Sequence, residues 1–229
     1  MKGRVLVVDI GGSHVKIMRS ASHSVQFDSG PKMRPRDFVA SFSEATRELT
    51  FDKISIGFPA PVRDNKIIAA PTHLVKEWRG FSFHRALKKP VRVINDAAMQ
   101  ALGSHSRGRT LFLGLGTGLG SALVWSNNVL PLELGHLPYR EHRRIEEWLG
   151  KSALEQLGKR VWREEVRYAI VQLKRAFIAD VIVLGGGNVK NMARLPAGVH
   201  PGDNRNAYLG GCRLWETDPK TGKPRWNIM

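Results

Sequence analysis

The sequence predicts an α/β fold, and three observations carry that prediction. Short apolar or β-branched runs recur at residues 4–8, 53–58, 91–94, 111–113 and 181–184, each the length of a buried strand. Turns built from glycine, proline or a carboxylate close these runs, and α/β proteins place ligands where parallel strands meet such turns. Residues 161–179 read as an amphipathic helix, with Val166, Ile170, Leu173 and Phe177 at spacings of four, three and four. A length of 229 residues suits one large domain or two small ones.

Composition narrows the classes. Hydrophobic residues make up 42% and charged residues 24%, enough apolar content for a core. No apolar run approaches the roughly 18 residues of a membrane span, and the opening MKGRVLVVDIGG lacks the pattern of a secretion signal. One cysteine, Cys212, forms no internal disulfide, in keeping with a cytoplasmic location. Thirty-six Lys and Arg against 20 Asp and Glu give a net charge of +16, which attracts polyanions such as nucleic acid, phosphorylated small molecules or polyphosphate. The basic residues are scattered and no nucleic-acid-binding motif is present, so no nucleic-acid partner is expected. A generally solvated basic surface is the alternative.

Each element then has its own reason. Residues 4–8 form a strand ending in Asp9-Ile10-Gly11-Gly12-Ser13, with Lys16 beyond. Two glycines and a hydroxyl after an acid make a tight turn whose N–H groups hold phosphate, while the acid holds Mg²⁺ directly or through water. A structural turn is the competing reading. Residues 15–18 and 24–27 continue as a meander. Residues 35–49 read as a helix, with Pro35 near its start and Phe38, Phe42, Ala45 and Leu49 on one face. Residues 70–80 are loop-like around Trp78, and 81–87 are a short helix. The strand at 91–94 delivers Asn95-Asp96 to the start of a helix at 97–102. One of the pair caps that helix, works chemically, or the two divide these roles.

The stretch from Arg109 to His136 is strand, glycine turn and strand. Gly114, Gly116, Gly118 and Gly120 bare the backbone around Thr117, so N–H groups can approach a ligand. A glycine-rich hairpin is the plain alternative. Residues 145–157 look helical. The strand at 181–184 is closed by Gly185-Gly186-Gly187-Asn188, a turn that opens another helix and is a second place for a nucleotide or phosphate. Residues 204–215 read as a final helix, and 217–229 as a poorly ordered, flexible tail.

Taken together these turns resemble the ROK family (repressor, open reading frame, kinase) of sugar kinases, most of all its polyphosphate-glucokinase branch. DIGGS at 9–13 resembles the first phosphate motif, and INDAA at 94–98 the segment with the catalytic aspartate. LGTGLGSAL at 115–123 resembles the second phosphate motif, and ELGH at 133–136 the sugar-binding signature. LGGGN at 184–188 resembles the adenosine motif, and NAYLGG at 206–211 the C-terminal helix. The resemblance implies a two-lobed actin-like ATPase/ribonuclease H-like fold with mixed sheets and an interlobe cleft. One lobe would hold residues 1–94 plus about 203–216, the other 95–202. It implies phosphoryl transfer from polyphosphate, ATP or both to the 6-hydroxyl of glucose or a related hexose, with Asp96 as general base.

The same resemblance implies Asn95, Asp96, Glu133, His136 and Glu146 as sugar ligands, with Glu147 the runner-up to Glu146. It implies phosphate binding by Gly11, Gly12, Ser13, Lys16, Gly116, Thr117 and Gly118, nucleotide binding by Gly185, Gly186, Gly187 and Asn188, and Mg²⁺ at Asp9. Asp96, with an ordinary carboxylate pKa, is expected to be ionised at neutral pH without tuning. Relatives are often dimers, so the resemblance allows a homodimer, while the sequence itself does not give the oligomeric state. Two departures stand out. The family's CxCGxxGCxE zinc motif has no counterpart, because residues 137–146 hold no cysteine; no zinc is expected, and His136 is a sugar ligand or merely structural. Thr72 stands where relatives often have asparagine. Trp78 is expected to pack in the core and not on a sugar. A non-catalytic sugar- or polyphosphate-binding or regulatory protein of the same family is the alternative; a regulator is expected to carry a helix-turn-helix domain ahead of the first strand.

Overall fold

The computed structural model describes residues 3–72, 74–203 and 205–229; the predicted helix start at Asn204 lies outside them. The first sheet has the order β3-β2-β1-β4-β7. Its strands are β1 (Val5–Ile10), β2 (His14–Met18), β3 (Ser24–Asp28), β4 (Lys53–Phe58) and β7 (Val91–Asn95). β1 runs antiparallel to β2 and parallel to β4, which runs parallel to β7. A small hairpin of β5 (Val62–Arg63) and β6 (Lys66–Ile67) stands beside it. The second sheet has the order β12-β11-β8-β9-β10-β13. It comprises β8 (Thr110–Leu115), β9 (Leu119–Trp125), β10 (Asn128–Leu132), β11 (Val181–Gly185), β12 (Val199–Pro201) and β13 (Asn227–Ile228). The two-lobed mixed α/β fold is therefore as predicted.

The central strands are mostly apolar because helices cover both faces of each sheet. Leu6, Val8 and Ile10 of β1 point towards α1 (Pro35–Ala45) and α2 (Phe83–Leu87), where Phe38, Phe58, Trp78 and Phe83 fill the core. Val7 points the other way, into a cluster formed with α3 (Asp96–Ser104) and α6 (Asn206–Arg213). The second sheet repeats the device. Leu111, Leu113 and Leu115 meet α4 (Glu146–Leu149) and α5 (Lys151–Ala176), while Phe112 faces α3. Helices α3 and α6 thus lie between the two sheets. Trp78 is fully buried, donates its indole N–H to the Met33 carbonyl at 2.9 Å, and serves the core.

Several predicted boundaries move. The helix expected over 35–49 ends at Ala45, where the Thr46 hydroxyl donates to the Phe42 carbonyl at 2.8 Å and competes with further helical bonding. The helix expected over 145–157 breaks at Gly150, which is extended at φ −74° and ψ 178°. The helix expected over 161–179 is the later part of α5, which is interrupted at Gly158 with φ 71°. The Gly185–Asn188 turn opens only a 3₁₀ turn, Gly187–Asn191.

The segment expected to be poorly ordered is instead packed. β13 pairs in parallel with β10, and Trp226 is 8% exposed, with its indole N–H on Glu216 at 3.0 Å. One tryptophan in a polar run sets up no periodicity, so pattern reading passes over it. Trp226→Ala is expected to cost about 3–5 kcal/mol, the usual range for a buried tryptophan. A urea midpoint unchanged by the substitution would show the tail contributes nothing.

Candidate active site

Strand β7 hands the chain to α3 at the cleft. Asn95 is the N-cap: its side-chain oxygen accepts the Ala98 N–H at 3.1 Å, and it is 7% exposed. Asp96, the first helical residue, accepts the Ala97 N–H at 2.8 Å. Asn95 is thus the helix cap, and both it and Asp96 face the cleft. Asn95, Asp96, Glu133, His136 and Glu146 line one cavity of about 400 Å³, with Gly12, Thr72, Gly116, Thr117 and Gly118 around them. All five predicted sugar ligands therefore meet, from segments far apart in sequence.

Glu133 precedes and His136 ends a 3₁₀ turn, Leu134–His136. The Ser121 hydroxyl pins it, accepting the Leu134 N–H at 3.1 Å and donating to the Leu132 carbonyl at 2.9 Å. His136 Nε2 stands 3.8 Å from Glu146 Oε1, which also pairs with Arg144 Nη1 at 3.3 Å. Glu147 is occupied elsewhere: it accepts the Arg144 N–H at 2.8 Å and pairs with the Arg143 and Arg144 side chains. That separates Glu146 from its runner-up. A Cβ on Gly118 would stand 2.8 Å from Glu146 Oε2, so this glycine makes room for the acid. The loop between His136 and Glu146 is tied to α5 by Glu165, 9% exposed, which accepts from Arg140 Nη1 at 3.1 Å and the Tyr139 hydroxyl at 3.3 Å.

A second cavity of about 260 Å³ adjoins the first and is lined by Asp9, Lys16, Gly185, Gly186, Gly187 and Asp203, among others. Asp9 sits opposite Lys16 in the β1–β2 register. Burial pushes its carboxyl up to about 6, against the pull of Lys16. Gly57 lies between the two aspartates: a Cβ there would stand 3.3 Å from both Asp9 Oδ1 and Asp96 Cα. Burial, then Asp9, and further Glu133 push Asp96 up to about 7. This corrects the expectation that Asp96 ionises without tuning. A desolvated carboxylate beside two other acids holds its proton longer. Burial also raises Glu133, with His136 opposing it.

The glycine turns are more selective than their sequence implied. The Gly11 N–H bonds to the His14 carbonyl at 2.9 Å, and the Gly116 N–H to the Gly118 carbonyl at 3.1 Å. Both are spent inside their own turns. Neither Gly11 nor Ser13 lines either cavity, whereas Gly12, Gly116, Thr117 and Gly118 line the first and Lys16 the second. Gly186, at φ 85°, reaches both. Asn188 lines neither; its amide donates to the Gly116 carbonyl at 2.8 Å and ties the two glycine turns together. Sequence reading missed Gln100, which lines both cavities. Its position four residues after Asp96, on the same helical face, was the available signal.

Among the described residues no cluster of three or more His, Cys, Asp or Glu side chains could hold a metal, and no helix is long and apolar enough to cross a membrane. A buried carboxylate facing the second cavity suits Mg²⁺, which takes one or two protein oxygens and fills its shell with water and phosphate. Asp9 fits that role.

No protein-family model matches the chain. It is 24% identical over 207 residues to the polyphosphate glucokinase of Mycobacterium leprae (strain TN), across 79% of this chain but 62% of that relative's length. Its fold matches the inorganic polyphosphate/ATP-glucomannokinase from Arthrobacter sp. strain KM with a TM-score of 0.77 and 21% identity, covering 91% of this chain and 96% of that one. It also matches a ROK family glucokinase from Streptomyces griseus, solved with glucose and AMPPNP, with a TM-score of 0.72 and 14% identity over 92% and 98% of the two chains. The chain thus has the fold of the ROK-family sugar kinases.

Proposed function

We propose that the chain is a sugar kinase that transfers a phosphoryl group from polyphosphate, ATP or both to the 6-hydroxyl of glucose or a related hexose. The observation that carries this reading is Asp96. It lies at the start of α3 in a cavity that also presents Asn95, Glu133, His136 and Glu146, with the glycine turns at its rim. A hexose is a ring of hydroxyls, and these side chains accept and donate in fixed directions. Asp96 takes the proton of the attacking hydroxyl. Its raised affinity for protons suits that task better than an ordinary aspartate would. The donor phosphates lie along Gly12, Thr117, Gly118 and Lys16, whose N–H groups and ammonium balance their charge. Mg²⁺ bound at Asp9 would neutralise the donor's phosphate oxygens.

The test is turnover of a hexose panel by the purified chain, with ATP and long-chain polyphosphate in parallel. Hexose 6-phosphate from at least one donor supports the reading. Hexose binding with no product from either donor would replace it with a sugar-binding or regulatory role. The Glu165 tie makes a further prediction. Glu165→Ala frees the loop that spaces His136 from Glu146, so KM for the hexose should rise about tenfold, or ~1.4 kcal/mol, with kcat changed less. An unchanged KM would show that this tie does not organise the sugar site.

A further inference from the structure

We infer that Gln100 is a catalytic residue whose side-chain amide donates to the phosphoryl group in flight. The inference rests on the sugar-kinase reading of the same site. Among the described residues, Gln100 has the only side chain that borders both cavities; the other shared residue, Gly186, has none. The acceptor hydroxyl is held beside Asp96 in the first cavity, and the donor's phosphates run from Gly12, Thr117 and Gly118 at the rim of that cavity to Lys16 in the second. A phosphoryl group moving between them passes Gln100.

The placement follows from the helix. Gln100 is one turn beyond Asp96 in α3, and residues four apart share a face. Its tip lies against the glycine turn after β11: a Cβ on Gly185 would stand 3.3 Å from the amide oxygen, and it would also overlap the Phe112 ring. The bare backbone at Gly185 leaves room for the Phe112 ring and, beside it, for this amide.

The residue type suits the place. Two acids, Asp9 and Asp96, already flank the path. A lysine or arginine here would pair with Asp96 and hold it as an ionised partner. A third carboxylate would repel the phosphate. A neutral amide offers two N–H donors at any pH and does neither. In the step, the sugar hydroxyl oxygen bonds to phosphorus while its proton passes to the Asp96 carboxylate. The bond from phosphorus to the donor's bridging oxygen breaks, and the shortened donor leaves with that electron pair. Gln100 gains and loses nothing; it holds the equatorial oxygens, whose charge is greatest midway.

The experiment compares wild type, Gln100→Ala and Gln100→Glu as full-length protein, using the hexose and donor found active in the panel. Gln100→Ala should lower kcat about 100-fold, the usual effect of losing one oriented donor. Its hexose KM, and its hexose Kd by calorimetry, should stay within about twofold of wild type, since the effect falls in the transition state alone. The isosteric Gln100→Glu should fall further, and it decides the matter if the alanine variant does not fold. Wild-type kcat in either folded variant overturns the inference and leaves the sugar-kinase reading intact. So does a hexose Kd that weakens in step with kcat, which would make Gln100 an ordinary sugar contact. Absence of turnover in the wild type removes the functional reading and this inference with it.

Discussion

Asp96→Asn is expected to abolish most hexose phosphorylation and, at the same time, to make the protein harder to unfold above neutral pH. An amide cannot accept the proton of the attacking hydroxyl, and a positioned general base is worth about 10²- to 10⁴-fold in rate. The stability gain has the opposite origin. Burial, Asp9 and Glu133 hold the Asp96 carboxyl up at about 7 in the folded chain, while an unfolded aspartate titrates near 3.9 or so. Between those values the folded state binds more protons than the unfolded state, so stability falls as pH rises through the window. Asparagine carries no charge to desolvate. The variant's melting temperature should therefore exceed that of wild type at pH 8 and converge on it towards pH 4.

The wild-type pH profile should show the same group. Below about pH 7 the base is protonated, so kcat/KM should fall about tenfold per unit of pH. Raising Mg²⁺ should move this limb to lower pH, because a cation at Asp9 offsets the negative charge that raises Asp96. Unchanged turnover in Asp96→Asn would remove Asp96 from the chemistry. A variant less stable than wild type at pH 8 would mean that this carboxylate is not under strain.

Gly210→Ala should be strongly destabilising for the addition of a single methyl. Helices α3 and α6 meet backbone to backbone: a Cβ on Gly210 would overlap the Met99 carbonyl oxygen, and one on Gly103 would overlap the carbonyl oxygen of Asn206. No side chain stands at these contacts to swing aside, so the helices themselves must separate. Overpacking a well-filled interior costs about 1–3 kcal/mol, and displacement of a helix backbone should bring the loss to about 3 kcal/mol or more. Gly187→Ala is the control, because a Cβ there meets nothing within 4 Å. Its urea midpoint should barely move, whereas that of Gly210→Ala should drop at an unchanged slope. Since α3 carries Asn95 and Asp96, turnover of Gly210→Ala should fall as well. Equal midpoints for the two variants would show that the helices do not meet as closely as described.

Local chemistry was readable from the chain alone. The strand predicted at 53–58 is β4 residue for residue, because five apolar or small residues between Lys53 and Pro59 fit little else. The Asn95-Asp96 pair at the start of a helix, the glycine turns, and the ordered motifs that indicated two lobes all depend on neighbours a few positions apart. Tertiary structure decided the rest. It separated Glu146 from Glu147, since Glu146 lines the cavity beside His136 while Glu147 is held outside it by Arg143 and Arg144. It withdrew the N–H groups of Gly11 and Gly116 from ligand binding by bonding them within their turns. It packed a tail whose one large apolar anchor, Trp226, gives no pattern. It raised the Asp96 carboxyl by placing Asp9 and Glu133 nearby in a buried cleft, and it put Gln100 where two cavities join. Periodicity and turn preference act over a few residues and are written into the order of the chain. Desolvation, charge coupling and backbone contact act across space, between residues that only the folded arrangement makes neighbours.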